Sequence, residues 1–518
     1  MSATTAKRIR RGRAAAAVAV AVCFGLGACT VGPDYRRPDT AVPAAYKEAW
    51  KRGPLDKGWA PGRPNDAIDR GQWWAIYRDP VLDGLERQID ISNQNLKAAE
   101  AAFREAEAIV TKARAGLFPT LDIDASATRS RSSGSNFSSS SSFAGGGGRG
   151  NISNNFQTTA QASWAPDLWG AVRRQIESGV ASAQASAATL ASARLSAQAE
   201  LATDYLQLRT QDELARLLAD SVKAFTQALQ ITKNQYQGGT ADQSAVAQAQ
   251  AQLDGTRAQL IAVGVMRAQL EHAIAVLIGK PPAEFKIEPV TTTIAVPLVP
   301  GEVPAALLQR RPDIAEAERK MAAANATIGV DVAAFYPQVT LTGDYGVSSS
   351  MLRKLLTAAS RVWSLGSSVA QTVFDGGLHN AQVAADEAAY DQAIANYRQA
   401  VLSAFQQVED ELAAERVLAQ QATAEDSAVA AAREAERVIN NQYLAGTQAY
   451  TAVIVAETTA LNDAVSAVNI RQSRLTASAA LIEALGGGWD AAQLPDTDTI
   501  ERDQPLNFNP IPPTFPNR

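Results

Sequence analysis

The sequence predicts an internally duplicated chain of mixed α and transmembrane β structure, in which short strand pairs alternate with very long helices that pack like coiled coils. Three observations predict this fold class. Two sequence patterns recur at fixed offsets, proline is absent from two stretches of more than a hundred residues, and two pairs of short segments alternate apolar with polar side chains. A chain of 518 residues with these features is elongated rather than globular.

The N-terminus has the features of an export signal. Residues 7–13, KRIRRGR, are basic, and residues 14–26 form an apolar run of thirteen. That run is shorter than the roughly 20 residues that span a bilayer, but it has the length of the hydrophobic part of a secretory signal. Residues 1–28 are therefore predicted to be a signal peptide, with a membrane-anchoring helix as the alternative.

Cys29 is predicted to carry a covalent lipid. Cys23 leaves with the signal, so Cys29 becomes the only cysteine and an intramolecular disulfide is impossible. The segment LGAC (26–29) resembles a bacterial lipobox, in which small residues precede a cysteine that is acylated and then becomes the N-terminus. Thr30 is not aspartate, which favours sorting to the outer membrane. An incidental exported thiol is the alternative.

The composition excludes an electrostatic nucleic-acid binder. The whole chain has a formal charge of −5, and loss of the signal, with five basic and no acidic residues, changes it to −10. There is no basic surplus to neutralise phosphates. Hydrophobic residues reach 46% but aromatic residues only 6%, because alanine dominates, and this favours helix over a large globular core.

The chain repeats one unit twice. NQYQGGT (234–240) recurs as NQYLAGT (441–447), at an offset of 207, and AGLFPTLDIDAS (115–126) resembles AAFYPQVTLTGD (333–344), at an offset of 218. The Ser/Gly-rich segment 130–150 accounts for the difference of eleven. We therefore predict repeat 1 over residues 71–300 and repeat 2 over residues 301–489.

Each repeat is predicted to contain a long helical hairpin, at about 170–280 and about 377–486. Proline is absent between Pro166 and Pro281 and between Pro337 and Pro495, so nothing breaks a helix there. Apolar residues at spacings of three, four and seven predict a coiled-coil seam in the second hairpin. The seam residues are Val383, Tyr390, Ile394, Tyr397, Val401, Phe405, Val408 and Leu412.

Each repeat also contains a predicted strand pair. The pairs are about 119–127 with 156–165, and about 337–346 with 364–374. Each strand has about ten residues, the length that a tilted strand needs to cross a bilayer. Four strands cannot close a barrel and open edges are not tolerated in lipid, so several chains must share one barrel. Outside the repeats we predict an extended, lipid-tethered strap over 29–70 and a proline-rich tail over 490–518.

These motifs together resemble a known family, the lipoprotein branch of the TolC-like outer-membrane factors. The resemblance is carried by LGACTVGPDYRRP (26–38), WWAIYRDPVLDGL (73–85), residues 310–346 from RRPDIAEAE to TGDYG, VFDGG (373–377) and two Y-x-x-G-T turns. It implies a homotrimer with a 12-stranded β-barrel shared four strands per subunit, above a periplasmic α-barrel.

The same resemblance implies a function. Such proteins are passive exit ducts of tripartite, resistance-nodulation-division type efflux pumps for small toxic compounds and drugs. They sit in the bacterial outer membrane and dock a periplasmic adaptor, the membrane fusion protein, and an inner-membrane efflux transporter. A channel for type I protein secretion and a non-pore, lipid-anchored periplasmic coiled-coil scaffold are the alternatives.

The resemblance places the two hairpin turns at the periplasmic tip, where the adaptor docks. The implied tip residues are Tyr236, Gly239, Thr240, Tyr443, Gly446 and Thr447. Relatives often carry aspartate at a constriction just past the second turn, where this chain has Ala452 and Val455. A constriction could instead use Asp242, Glu457 or apolar narrowing around Val455.

No catalytic or metal-binding constellation is predicted. His272 and His379 have no neighbouring nucleophile and no partner at metal-ligand spacing. GGGGRG (145–150) lacks the lysine and hydroxyl of a phosphate loop. We therefore expect neither an enzyme nor any cofactor apart from the lipid on Cys29.

Overall fold

The structure, a computed structural model, describes most of both predicted repeats. The described residues are 30–38, 46–48, 72–131, 152–290, 293–297, 310–503 and 506. The predicted signal peptide 1–28, Cys29, the Ser/Gly-rich segment beyond Arg131 and most of the tail beyond Asp503 lie outside these ranges.

The first repeat begins with a short turn of 3₁₀-helix, Trp73–Tyr77, and continues as helices and one strand pair. The elements are α1 (Pro80–Ser92), α2 (Gln94–Ala115), β1 (Thr120–Arg131), β2 (Ile152–Trp164), α3 (Ala171–Gln237) and α4 (Gln243–Leu277). The second repeat has the corresponding elements α5 (Pro312–Ala333), β3 (Gln338–Ser349), β4 (Arg361–Ala370), α6 (Leu378–Leu444) and α7 (Tyr450–Ala484).

The two repeats match element by element in length. Helices α2 and α5 have 22 residues each, and strands β1 and β3 have 12 each. Helices α3 and α6 have 67 residues each, and α4 and α7 have 35 each. Helices α2 and α5, which precede the strand hairpins, are offset by 218 positions. The helices that follow the strand hairpins are offset by 207, and the repeated sequence motifs have the same two offsets. One ancestral unit therefore accounts for both halves.

The two 67-residue helices each begin at a glycine. Gly170 before α3 and Gly377 before α6 have φ angles of 84° and 96°, a left-handed conformation that favours glycine. Helix α1 instead begins with Asp79, whose side chain accepts a hydrogen bond from the Val81 N–H at 2.8 Å, followed by Pro80 at the first helical position. Local capping chemistry thus sets where each helix starts.

The strands form one four-stranded antiparallel sheet in the order β1-β2-β3-β4. Strand β2 pairs with β3, so the sheet joins the two repeats, whereas β1 and β4 each keep one edge that no described residue pairs with. Thr120 pairs with Ser163 at one end of the first hairpin and Arg131 with Ile152 at the other.

The observed strand bounds correct the predicted ones. Strand β1 continues to Arg131 rather than residue 127, and β2 starts at Ile152 rather than 156, because polar residues at the hairpin end still pair although apolar alternation stops there. Strand β4 spans 361–370 instead of 364–374. Its last pair is Gln338 with Ala370, because Pro337 beyond it has no N–H to donate.

The predicted seam on α6 is confirmed over most of its length. Tyr397, Val401, Val408 and Leu412 are buried in one apolar cluster with Leu481 of α7, and Tyr390 and Ile394 pack at its edge. Val383, nearest the strands, is only half-buried. The described residues form three further clusters: one around Trp73, Leu82 and Ile274, one along the helices toward the turns, around Leu218 and Phe225, and a small one around Val110.

The strap residues 30–38 tie the two repeats together. The Val31 N–H donates to the Trp169 carbonyl at 3.1 Å, and buried Arg174 donates to Asp34 at 2.9 Å. In the second repeat, the Asn325 side chain donates to the Pro33 carbonyl and the Tyr35 hydroxyl donates to Glu318. This part of the predicted strap therefore follows a defined path across α3 and α5.

Part of the predicted tail is a short helix that packs against α2 and α3. Residues 497–503 form α8 (Thr497–Asp503), and Ile500 is buried with Val110 and Val180. The Arg114 guanidinium donates to the Glu501 carbonyl at 3.0 Å. One apolar residue at a helical position thus attaches this part of the proline-rich tail to α2 and α3.

Gly279, at the end of α4, yields a stability prediction. Its φ is +67°, and a Cβ there would lie 2.2 Å from the Ser92 carbonyl oxygen. We expect Gly279→Ala to lower the free energy of unfolding by roughly 2–4 kcal/mol, since it adds both backbone strain and a backbone clash. The measurement is thermal unfolding followed by far-ultraviolet circular dichroism.

Gly84→Ala is the matched control for this substitution. Gly84 lies inside α1 and has no heavy atom within 4 Å of a built Cβ. There alanine is favoured by up to about 1 kcal/mol through helix propensity. Equal unfolding midpoints for the two variants would contradict the prediction.

Candidate functional site

The sheet has one apolar and one polar face. Along β4, the side chains of Trp363, Leu365 and Val369 point to one face and are exposed, Leu365 to 81%. Their cross-strand partners include Tyr345, opposite Trp363, while Leu121 and Ile123 of β1 continue the same face. Serine, threonine and glutamine alternate with them on the other face. This alternation is typical of a lipid-facing barrel wall with a polar lumen.

Three carboxylates lie on the polar face. Asp122 pairs with Gln161, Gln161 with Asp344, and Asp344 with Ser364, so one row crosses all four strands. The Ser364 hydroxyl donates to Asp344 at 2.6 Å. Asp124, two residues further along β1, lies on the same face. This row was not predicted, although the aspartates at alternate positions in LDIDAS were a signal for it.

The two hairpin turns have the same geometry. Gly239 and Gly446 have φ angles of +75° and +74°, and a Cβ at either position would meet no neighbouring atom, so conformation alone requires glycine there. Thr240 donates from its N–H and its hydroxyl to the Gln235 carbonyl, at 2.9 and 3.1 Å. Thr447 donates in the same way to the Gln442 carbonyl. The Y-x-x-G-T motifs are therefore helix-terminating turns.

The equivalent tyrosines of the two turns have different environments. The Tyr443 hydroxyl donates a hydrogen bond to the Gln235 side chain, and its ring lies 5.3 Å from that of buried Tyr450. Tyr236 is 47% exposed and makes no such bond within the described residues. Tyr443 thus connects the end of α6 with the end of α3. Sequence comparison of the two turns gave no signal for this contact.

The candidate constriction residues differ in their environments. Asp242 caps α4, accepting hydrogen bonds from the Ser244 hydroxyl at 2.6 Å and the Ala245 N–H at 2.9 Å, and these bonds lower its pKa. Val455 is 66% exposed on α7, while Ala452, one turn earlier, is half-buried. Only Val455 presents a large side chain to open space.

Glu457 is partly buried beside α6. One of its carboxylate oxygens, Oε2, has no hydrogen-bond partner among the described residues. Burial, together with the negative charge of Glu436 on α6, raises the pKa of Glu457 to about 7. Burial also raises the pKa of Glu436. Glu457 therefore interacts with the neighbouring helix of its own hairpin.

The strap begins where strand and helix meet. A Cβ on Gly170 would lie 3.0 Å from the Cα of Thr30, so Thr30 packs directly on that glycine. Gly170 follows the end of β2 by six residues. Nearby, the Trp169 indole donates to the Pro337 carbonyl at 2.8 Å and its ring stacks on Tyr336. Cys29, one residue earlier, lies outside the described residues.

The two histidines and the apolar helix α4 form no metal site within the described residues. The His379 ring lies 3.8 Å from Asp375, and no group of three metal-ligating side chains occurs within the described ranges. Helix α4, Gln243–Leu277, is long and apolar enough to cross a membrane, and is the one such helix in the described part of the chain. It packs along α3 as the second arm of the first hairpin. The expected absence of a cofactor stays a prediction.

Comparison with known families gives one assignment. The family described as outer membrane efflux protein, OEP, matches residues 86–280 and 303–487, one segment in each repeat and together well over half of the chain.

Characterised relatives carry efflux names. The chain is 28% identical over 468 residues to the probable efflux pump outer membrane protein TtgC of Pseudomonas putida, covering 90% of this chain and 94% of that protein. It is 29% identical over 476 residues to the pyoverdine export outer membrane protein OpmQ of Pseudomonas aeruginosa, covering 91% and 96%.

Solved structures agree. The outer-membrane channel OprN has a TM-score of 0.80 and 28% identity, covering 89% of this chain and all of that one. The open state of the Neisseria gonorrhoeae MtrE outer membrane channel has a TM-score of 0.75 and 26% identity, covering 89% and 99%. The predicted fold class and the resemblance to the TolC-like outer-membrane factors are thereby confirmed, while the lipid on Cys29 stays a prediction. The chain belongs to the outer membrane efflux protein family and is an exit duct in the bacterial outer membrane.

Proposed function

We propose that three copies of the chain close one 12-stranded barrel and join their long helices into one periplasmic α-barrel. The observation that carries this proposal is the pair of unpaired edges, on β1 and β4, of a sheet with one apolar face. In lipid, unpaired N–H and C=O groups cost several kcal/mol each, so the edges must pair with other copies. Four strands per copy and three copies give the even strand number typical of such barrels.

The duct is proposed to serve a tripartite pump for small toxic compounds and drugs. Relatives named for efflux of toluene and export of pyoverdine support small-molecule cargo. In the described strands the lumen face is lined mainly by serine, threonine and glutamine, with three aspartates, and these side chains form no pocket that would recognise one compound. The duct itself performs no chemistry, and the energy comes from an inner-membrane transporter.

The hairpin turns are the proposed docking end for the periplasmic adaptor. The six turn residues Tyr236, Gly239, Thr240, Tyr443, Gly446 and Thr447 lie at the end of the long helices opposite the strands. A constriction at this end is assigned to Val455, because it is exposed whereas Glu457 is partly buried beside α6. Apolar narrowing therefore gates the tip better than a carboxylate ring does here.

Cys29 is proposed to be the lipid-bearing N-terminus of the mature protein. Thr30, the next residue, packs on Gly170 just after strand β2 ends. Strand ends mark the membrane surface, so acyl chains on residue 29 reach the inner leaflet of the outer membrane directly. The strap then continues away from the membrane along the helices.

The first test is conductance of the purified protein in planar bilayers. We expect a stable oligomer that conducts ions with a preference for cations, because Asp122 and Asp344 place carboxylates in the lumen. The double variant Asp122→Asn, Asp344→Asn should shift the reversal potential in a salt gradient toward zero. Asp498→Asn on α8 is the control and should leave it unchanged. A monomer without conductance would contradict the proposed pore.

The second test concerns the tip. Tyr443→Phe removes the hydrogen bond to Gln235 that connects the two hairpins. One hydrogen bond contributes about 1 kcal/mol and each of the three subunits loses one, so the ratio of open to closed channels should rise by at least roughly fivefold in single-channel recordings. Tyr236→Phe, at the equivalent exposed tyrosine, is the matched control. Equal gating in the two variants would exclude the contact as a restraint.

The third test concerns the lipid. Cys29→Ala should abolish incorporation of labelled palmitate but leave oligomers and conductance, because the barrel holds the membrane by itself. Cys23→Ala, within the signal, should retain the label. If Cys29→Ala protein still incorporates labelled palmitate, Cys29 is not the acylation site. If that variant does not assemble, the lipid contributes to folding.

A further inference from the structure

The apolar face of the sheet carries charge at one end only. Side chains on this face alternate along each strand, and the charged ones within the described strands are Arg129 and Arg131 on β1 and Arg361 on β4. All three are exposed. Within the described residues, none of them forms an ion pair with a carboxylate.

The sequence provides no counter-charge at this end. Residues 125–158, from β1 through the connection into β2, contain no aspartate or glutamate, and neither do residues 345–361 between β3 and β4. In the second of these segments Arg353 and Lys354 add two further positive charges. Three arginines on an otherwise apolar surface therefore have no intramolecular partner within reach along the chain.

These arginines lie at the end of the sheet farthest from the helices. Strand β1 starts at Thr120, just after α2, and ends at Arg131; β4 starts at Arg361 and returns toward α6. With the helices in the periplasm, the arginines stand at the level of the outer-leaflet head groups. There a charge on the lipid-facing side is tolerated far better than at mid-membrane.

Barrel closure brings the arginines of two subunits together. Strands β1 and β4 are the free edges, so β4 of one copy pairs with β1 of the next. Arg131 is the last residue of β1, Arg129 lies two residues before it, and Arg361 is the first residue of β4. Because strand ends lie at one membrane surface, each seam between subunits gains all three guanidinium groups on its lipid side.

We propose that each seam binds the phosphate-bearing head group of a phosphorylated glycolipid of the outer leaflet; this rests on the trimeric barrel proposed above. Guanidinium groups bind phosphate through paired, charge-assisted hydrogen bonds. Trp363 and Leu365, on the same face directly below Arg361, offer an exposed apolar surface for acyl chains. Charge above and hydrocarbon below match the two ends of such a lipid.

The test measures lipid binding to the purified oligomer by native mass spectrometry. The probes are bisphosphorylated lipid A and the same lipid after removal of both phosphates. We expect the phosphorylated lipid to bind at least about tenfold more tightly, as one additional charge-assisted interaction would provide. This comparison uses the unmodified protein. Equal affinity of the oligomer for the two probes would overturn the proposal.

Variants then locate the site. Arg129→Gln with Arg131→Gln, and separately Arg361→Gln, should each lower the affinity for the phosphorylated probe and leave the dephosphorylated probe unaffected. The control Arg353→Gln with Lys354→Gln removes two positive charges from the β3–β4 connection and should retain affinity. An equal loss of affinity in this control would show that overall positive charge is sufficient for binding, and would overturn the proposed site.

Conductance of the same preparations separates the two levels of inference. Preparations that conduct but bind both lipids equally disprove the head-group site while leaving the channel in place. Preparations that neither assemble nor conduct disprove the trimeric barrel on which the site rests.

Discussion

Backbone hydrogen bonding in lipid is the constraint on which the rest of this structure depends. Water is absent from the bilayer core, so every N–H and C=O of a spanning strand must find a partner in protein. Within one chain β2 and β3 meet this demand on both sides, while β1 and β4 meet it on one side only. The single chain is therefore an incomplete structure, and its remaining hydrogen bonds define where other copies attach.

The duplication follows from the same constraint. One repeat alone supplies a helical hairpin and a strand hairpin, and an isolated two-stranded hairpin is marginally stable at best. Pairing of β2 with β3 joins the repeats in the membrane, and packing of α5 against both α3 and α6 joins them below it. The strap residues 30–38 add a third connection, through Arg174 in one repeat and Asn325 in the other.

The two ends of the molecule handle charge differently. At the membrane end, carboxylates occur on the polar face of the strands and arginines at the outer margin of the apolar face. At the turn end, the carboxylates with shifted pKa values serve local structure: Asp242 caps α4, and Glu457 lies against α6. This distribution supports the proposed cation preference of the barrel and the proposed gating by apolar side chains and by the hairpin contact through Tyr443.

The sequence by itself determined the features that depend on a few neighbouring residues. Proline-free stretches, glycines at 239 and 446 and the apolar seam on α6 all act within one or two helical turns, so the long hairpins and their ends could be predicted. Strand bounds were less accurate, because pairing continues to Arg131 without apolar alternation and stops at Pro337 for want of an N–H.

Only the tertiary structure decided which distant residues meet. The row from Asp122 to Asp344, the contact of Tyr443 with Gln235 and the burial of Glu457 depend on alignments between segments up to about two hundred residues apart. Those alignments result from sheet hydrogen bonding and side-chain packing, which no local pattern encodes. The sequence therefore defined the elements and their order. The folded chain defined the polar lumen face, the contact of Tyr443 with Gln235 and the grouping of arginines at one end of the apolar face.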